Sequence, residues 1–218
     1  MNSEPTALSL IVYDFDGTLV NTLADIADSV NLALKELNLR SLSREIIRAY
    51  VGGGMHRLME QALNGTGYDD IKHAVTLFRK HYGDHLLDQT EFYPNTRETV
   101  EHFSNKKNAI FSNKPAAFIE RILNALDFRH PFHAVLGGDS LETKKPDPSG
   151  LHFLMRQFNC SPEQVLMIGD SAIDIETGKR ARVWTCGVSY GLGNPQALQE
   201  SQPHYMIDDL SRLKALLK

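Results

Sequence analysis

Apolar positions along this chain follow two rhythms. Short runs rich in Val, Ile and Leu stand at residues 8–13, 108–111, 134–136, 165–168 and 183–188, each followed by polar or turn residues. Runs this short, bounded in this way, read as buried strands. Between the later runs the spacing changes to three and four. Residues 116–126 line up Phe118, Ile119, Ile122, Leu123 and Leu126, and residues 148–158 and 171–182 read the same way. Pro115, Pro148 and Pro162 sit where helices can begin. Strand–helix alternation predicts an α/β fold, a parallel sheet with helices on both faces.

Residues 21–92 break the alternation. They hold no convincing strand but carry four helical stripes: Ile26, Val30, Leu34 and Leu37; Ile46, Ile47 and Tyr50; Leu58, Ala62 and Leu63; and Val75, Phe78, Tyr82 and Leu86. Core packing accounts for each stripe. The chain is therefore expected to divide into an α/β core, residues 1–20 and 93–218, and a helical insertion, residues 21–92, left near Tyr93-Pro94.

Composition changes this picture only by exclusion. Of 218 residues, 42% are hydrophobic and 23% charged, a globular balance that excludes disordered, collagenous and transmembrane chains. The 23 Lys and Arg against 27 Asp and Glu give a net charge of −4, which speaks against a nucleic-acid partner, because binding a phosphate backbone needs a basic surface. The apolar run at 7–13 is too short to span a bilayer and lacks the flanks of a signal peptide, so no membrane partner is expected. Cys160 and Cys186 lie outside any C-x-x-C and read as reduced thiols. Sparse cysteine and the missing export signal point to a cytoplasmic location.

The candidate chemistry lies where the predicted strands end. Asp14-Phe15-Asp16-Gly17-Thr18 follows the first run and Ser112-Asn113-Lys114 the second. A loop with Lys144-Lys145-Pro146 follows the third, and Gly169-Asp170-Ser171, with Asp174 just beyond, the fourth. In open parallel sheets the carboxyl ends of the strands line the ligand crevice, so these groups should meet in space. Several carboxylates with few nitrogens suit Mg²⁺, and a Lys with a hydroxyl suits phosphoryl oxygens. Asp14 and Asp16, two apart, point the same way on an extended backbone. One can attack phosphorus while the other handles a proton. Gly17 permits the sharp turn that follows. Lys114 is a weaker candidate: directly before a helix start, it reads first as a surface lysine.

Asp-x-Asp-Gly-Thr-Leu at 14–19, the strand-end Ser112, Lys145 before Pro146, and Gly-Asp-Ser-x-x-Asp at 169–174 together resemble the haloacid dehalogenase-like hydrolases, over essentially the whole chain. The resemblance implies a Rossmann-like core with a small all-helical cap domain at the insertion. It implies an enzyme, a Mg²⁺-dependent phosphatase working through an aspartyl-phosphate. Asp14 would be the nucleophile and a metal ligand. Asp16 would be the general acid and base, its backbone carbonyl also on the metal. Asp170 would complete the metal site, and Asp174 would hold it through its own contacts. Ser112 and the Asn113 backbone would hold the phosphoryl group with Thr18 assisting, and Lys145 would neutralise charge, with Lys144 as its alternative.

The insertion adds Val51-Gly52-Gly53-Gly54-Met55-His56-Arg57. Glycines let a backbone approach a ligand closely, a helix start can meet an anion, and Arg57 offers a forked donor. The alternative reading is a flexible loop with a solvated Arg57, and His56 reads as a surface residue. The loop, Tyr93-Pro94-Asn95-Thr96 and Gly187-Val188-Ser189-Tyr190-Gly191 resemble the phosphoglycolate phosphatase subgroup. A small phosphorylated metabolite, 2-phosphoglycolate first, would then be the substrate, with Gly53, Gly54 and Arg57 gripping its carboxylate. Phosphosugar mutase, pyrophosphatase and broad phosphatase activity stay open as alternatives. A phospho-acceptor signalling switch is more distant, because Asp16 and the insertion do not fit one. In the subgroup Gly is commoner where Arg182 stands, so Arg182 is expected at a helix-to-strand corner that Gly makes easily. The oligomeric state is not legible in the sequence.

Overall fold

The computed structural model describes residues 8–217; residues 1–7, with Ala7 of the first apolar run, and residue 218 lie outside it. The chain begins with β1 (Leu10–Tyr13), turns, and enters β2 (Val20–Asn21). Four helices follow: α1 (Leu23–Glu36), α2 (Arg44–Arg48), α3 (Met55–Leu63) and α4 (Ile71–His85). The chain returns through β3 (Glu91–Phe92), α5 (Thr96–His102), β4 (Lys107–Phe111), α6 (Ala116–Ala125) and β5 (Ala134–Leu136). It continues with α7 (Ser149–Phe158), β6 (Val165–Gly169), α8 (Ala172–Arg180), β7 (Trp184–Val188), α9 (Pro195–Glu200) and β8 (Tyr205–Ile207), and closes with a 3₁₀ turn (Leu210–Arg212) and the short helix α10 (Leu213–Leu216).

Six strands form one sheet in the order β5-β4-β1-β6-β7-β8, every pair parallel, as the alternation predicts. Side chains on β1 alternate between two cores. Ile11 and Tyr13 join the cluster that holds Ile119, Ile122 and Leu123 of α6, while Leu10 and Val12 join the one that holds Leu151 and Leu154 of α7. A strand buried on both faces needs apolar residues at every position, which explains the unbroken run.

Two parts of the fold are absent from the sequence reading. Strand β8 and helices α5, α9 and α10 do not show in the pattern. The insertion is also not purely helical at its edges: β2 and β3 pair antiparallel, Val20 opposite Phe92 and Asn21 opposite Glu91. Asp25 at the start of α1 reinforces this junction. Its buried carboxylate accepts hydrogen bonds from the Gln89 and Thr90 amides and the Thr90 hydroxyl at 2.7–3.1 Å. The four apolar stripes do become α1–α4, although Ile46 remains exposed.

Proline placement follows the expectation. Pro115 and Pro148 precede α6 and α7, and Pro162 opens a short 3₁₀ turn before β6. Arg182 takes the corner after α8 with a φ of 61°, a left-handed conformation costly for a side chain with a Cβ. No helix among the described residues is long and apolar enough to cross a membrane.

Candidate active site

The carboxyl ends of β1, β4 and β6 converge. Asp14 leaves β1 with its amide on the Ile168 carbonyl, so it remains in register with the sheet. Gly17, at φ 83°, turns the chain back so closely that a Cβ there would stand 2.2 Å from Asp170 Oδ2. Asp170 follows β6. Asp174 lies in the first turn of α8, where its Oδ2 accepts from the Ser171 amide and hydroxyl at 3.1 and 2.6 Å. That reciprocal cap is the local reason for the Asp-Ser-x-x-Asp spacing.

Lys145 ties the cluster together. Its Nζ is 2.8 Å from Asp14 Oδ1 and 2.5 Å from Asp174 Oδ1, all three residues buried. The Asp174 contact is an aligned hydrogen bond; the Asp14 contact is an ion pair out of line, and Asp14 Oδ1 has no hydrogen-bond partner. Burial opposes the charge on Lys145, but Asp14 and Asp174 together outweigh it and raise its pKa. Lys145 is thus the ammonium on Asp14 and Asp174, and Lys144 is exposed.

Asp170 Oδ2 accepts from the Leu192 and Gly193 amides at 2.7 and 2.8 Å, and Oδ1 from the Thr18 hydroxyl at 3.3 Å. Burial, then the charges of Asp174 and Asp14, push its pKa up to about 7 against the pull of those amides. Burial also raises Asp174, with Lys145 pulling the other way.

One oxygen from each of Asp14, Asp170 and Asp174 lies within 4.8 Å of the others, a cluster able to hold a metal ion. The donor set fits a hard divalent cation: oxygen ligands only, excess negative charge, and an Asp14 oxygen that accepts no aligned hydrogen bond. Asp174 already uses both oxygens on Lys145 and Ser171. Its geometry therefore suits holding the cluster rather than ligation.

Asp16 sits across the turn. Its Oδ1 accepts from the Thr22 hydroxyl at 2.7 Å and lies 2.8 Å from Lys114 Nζ. Lys114 is not a surface lysine: it is buried, donates to the Tyr82 hydroxyl of α4 at 2.5 Å, and lies over that ring at 4.4 Å. The expectation failed because the residue that buries it comes from the insertion, 32 positions earlier. Burial opposes its charge, yet Asp16 and Tyr82 outweigh that and raise its pKa. Burial likewise pushes the Tyr82 hydroxyl up to about 12.

Ser112 directly follows β4, and Asn113 works as a staple. Asn113 Nδ2 donates to the Lys145 carbonyl and, across to the insertion, to the Gly52 carbonyl, at 3.1 and 3.0 Å; its Oδ1 accepts from the Lys145 amide at 2.9 Å. A cavity of about 50 Å³ lies between the strand ends and the insertion. Asp14, Asp16, Ser112, Asn113 and Lys114 form its core wall, and Val51, Gly52, Gly54, Met55, Leu58, Phe78 and Tyr82 are among the residues of its other wall. Gly54, at φ 84°, brings α3 close to the Asn113 carbonyl.

The structure thus gathers Asp14, Asp16, Ser112, Asn113, Lys145, Asp170 and Asp174. Gly54 reaches the cavity; Gly53 and Arg57 are not among its lining residues, and the exposed Arg57 folds its stem over Gly53. Thr18 is buried beneath the cluster, where it supports Asp170. His56 is exposed as expected. Sequence reading missed Lys114 with Tyr82, and the amides of residues 192 and 193. The only signal for Lys114 was its place beside Ser112 and Asn113.

Comparison with known proteins agrees with this geometry. A profile of the haloacid dehalogenase-like hydrolases matches residues 11–188. Phosphoglycolate phosphatase from Haemophilus influenzae (strain ATCC 51907) is 36% identical, over 97% of this chain and 99% of that protein. Phosphoglycolate phosphatase from Psychrobacter arcticus is 37% identical, over 94% of this chain and 93% of that one. The crystal structure of a predicted phosphoglycolate phosphatase from Haemophilus somnus 129PT superimposes with a TM-score of 0.92 at 32% identity, covering 98% of this chain and 99% of that one. The acidic cluster at the strand ends, the parallel sheet and this end-to-end similarity have one explanation: the chain belongs to the haloacid dehalogenase-like hydrolases and is a phosphatase resembling the phosphoglycolate phosphatases.

Proposed function

We propose that the protein hydrolyses small phosphate monoesters with Mg²⁺, through an aspartyl-phosphate on Asp14, and that 2-phosphoglycolate is its preferred substrate. The observation that carries the reading is the buried cluster of Asp14, Asp170, Asp174 and Lys145 at the floor of the cavity. A phosphate dianion and Asp14 repel each other, and an ammonium at 2.8 Å offsets part of that repulsion.

Each residue then has a task its position allows. The Asp14 carboxylate attacks phosphorus, and the bond to the leaving oxygen breaks as Asp16 delivers a proton to it. Asp16 next takes a proton from water as that water attacks phosphorus. The bond to Asp14 breaks, and inorganic phosphate leaves. Ser112 and the Asn113 backbone line the cavity where the phosphoryl oxygens would rest. Asp14, Asp170 and the Asp16 backbone carbonyl would hold Mg²⁺, which when bound supplies positive charge to the transferring group. Asp174 orients Lys145.

We assign residues 21–92 to a cap that closes over the site and excludes water. Asn113 with Gly52 and Lys114 with Tyr82 support a seated position. The small cavity favours a small leaving group over a hexose. Lys114, the one cation among its lining residues, is better placed than Arg57 to meet a carboxylate. A cytoplasmic setting belongs to the same proposal and is supported by the unpaired Cys160 and Cys186.

The test is a panel of phosphorylated metabolites, with phosphate release measured with Mg²⁺ and with a chelator. Repeated turnover of 2-phosphoglycolate, lost on chelation, is expected. Isomerisation of a hexose 1-phosphate without phosphate release would make the protein a mutase. A single stable phosphorylation of Asp14 would end the hydrolase reading.

A further inference from the structure

Helix α2 reaches the loop that holds Asp170. Its last residue, Arg48, directs its guanidinium at the loop after β7. Nε donates to the Leu192 carbonyl at 2.9 Å, and one terminal nitrogen donates to the Gly191 carbonyl at 2.8 Å. The carbonyl of residue 191 and the amide of residue 192 belong to one peptide unit; the carbonyl of 192 and the amide of 193 belong to the next. Those two amides are the donors that hold Asp170 Oδ2. A cation on the insertion and a carboxylate on the core are therefore joined through two peptide units.

The chemistry of the peptide bond gives this arrangement a direction. A cation at the carbonyl oxygen draws electron density along the resonant unit and makes its N–H a stronger donor, so hydrogen bonds in such a chain reinforce one another. Both hydrogen bonds to Asp170 gain from the same guanidinium. Arginine's donors form a fixed planar fork that serves two carbonyls at once, whereas a lysine's rotatable ammonium holds no such fixed geometry. The loop itself is anchored to the core, with the Tyr190 hydroxyl on the Thr18 carbonyl at 2.8 Å. Lifting the insertion would withdraw Arg48 and leave the loop behind.

We infer that Arg48 is a positioning residue that couples the seating of the insertion to the cation-holding strength of Asp170. The inference rests on the proposed assignment of Asp14 and Asp170 as metal ligands. With Arg48 seated, the two amides fix Asp170 and stabilise its negative charge; with Arg48 withdrawn, Asp170 holds a divalent ion more weakly. Coupling is reciprocal, so the ion in turn favours the seated insertion by the same factor.

A mere clamp on the insertion would alter substrate binding and leave the ion's affinity unchanged, so the readout is Mg²⁺ binding to substrate-free protein by titration calorimetry. R48Q should weaken Mg²⁺ binding by about threefold to tenfold, below the loss seen when a ligand's direct partner is removed. R48K keeps the charge without the fork and should recover part of it; it also carries the test should R48Q fail to fold. Mg²⁺ should slow amide exchange over residues 44–50 in the wild type, and less in R48Q. Wild-type affinity and exchange in both variants would overturn the inference. Failure of the wild type to bind Mg²⁺ would overturn the metal assignment itself, and the inference with it.

Discussion

The two walls of the cavity are built on opposite principles. The core wall is dense in charge: Asp14, Asp16 and Lys114 stand there beside Ser112 and Asn113, with Lys145, Asp170 and Asp174 immediately beneath. Each charge is fixed by a partner on a different strand end, so the set exists only in the folded sheet. The facing wall, from the insertion, is mostly apolar, with Ile26, Leu58 and Phe78 meeting the polar core side. The insertion contributes two hydroxyls to the charges of the core wall, Tyr82 on Lys114 and Thr22 on Asp16. The difference teaches a division of labour. On the proposed reading, the core would supply charge where bonds change, and the insertion would select by shape and by lowering the local dielectric, which strengthens every charge below it.

The strongest way to break this comparison is on the core wall. Asp14→Asn should lower turnover by at least roughly 10⁴-fold, the scale of losing a nucleophile, while circular dichroism and the thermal midpoint stay near wild type. Retained activity would place the nucleophile elsewhere. Lys145→Met comes next. It should slow turnover by about 10²- to 10³-fold, as loss of a preorganised charge does. It should also cost about 3 to 5 kcal/mol in urea unfolding, because Asp14 and Asp174 lose the partner they are buried with. A variant of unchanged stability would show that the buried pair is not what holds these strand ends together.

Smaller effects sharpen the comparison. Lys114→Gln should raise KM for 2-phosphoglycolate about tenfold more than KM for p-nitrophenyl phosphate, the scale of one charge-assisted hydrogen bond. Arg57→Ala, outside the cavity, should change both by less than about twofold. The reverse ranking would return carboxylate recognition to the insertion. The smallest effect concerns pH. Asp170 carries a pKa raised to about 7, whereas an unfolded Asp titrates near about 4. Between those values the folded state keeps a proton that the unfolded state has lost, so this group makes stability fall as pH rises through that window and adds no further loss above it. A bound cation favours the ionised carboxylate. Mg²⁺ should therefore raise the thermal midpoint by a few degrees more, roughly, at pH 8 than at pH 5, read by scanning calorimetry. Equal gains at both pH values would remove Asp170 from the metal site.

The sheet was legible because burial on both faces forces runs such as Ile11-Val12-Tyr13 and Leu166-Met167-Ile168, and the strand ends were legible because Asp14, Ser112 and Asp170 follow those runs directly. What stayed hidden is just as physical. Strand β8 is a three-residue edge strand whose Met206 is exposed, so it leaves no buried run. Helix α5 offers Val100 but otherwise buries threonines, Thr96 and Thr99, which do not register as an apolar stripe. Lys114 and Arg48 escaped for a shared reason. Their partners are a phenol 32 residues away and two carbonyls 143 and 144 residues away. Backbone carbonyls carry no residue identity, so no pattern of side chains could announce them.

The paired ribbon of β2 and β3 has a further consequence. Because Val20 and Phe92 stand opposite each other, the insertion leaves and rejoins the core at one spot, like a cassette on a two-pronged plug. The core could be closed by a short hairpin turn between the prongs, since neighbouring antiparallel strands need only about two residues to connect. The fold is thus ready-made for grafting: a different insertion could be set on the same socket and leave the six-stranded frame standing, provided it restores the contacts that Thr22, Arg48 and Tyr82 make with the core.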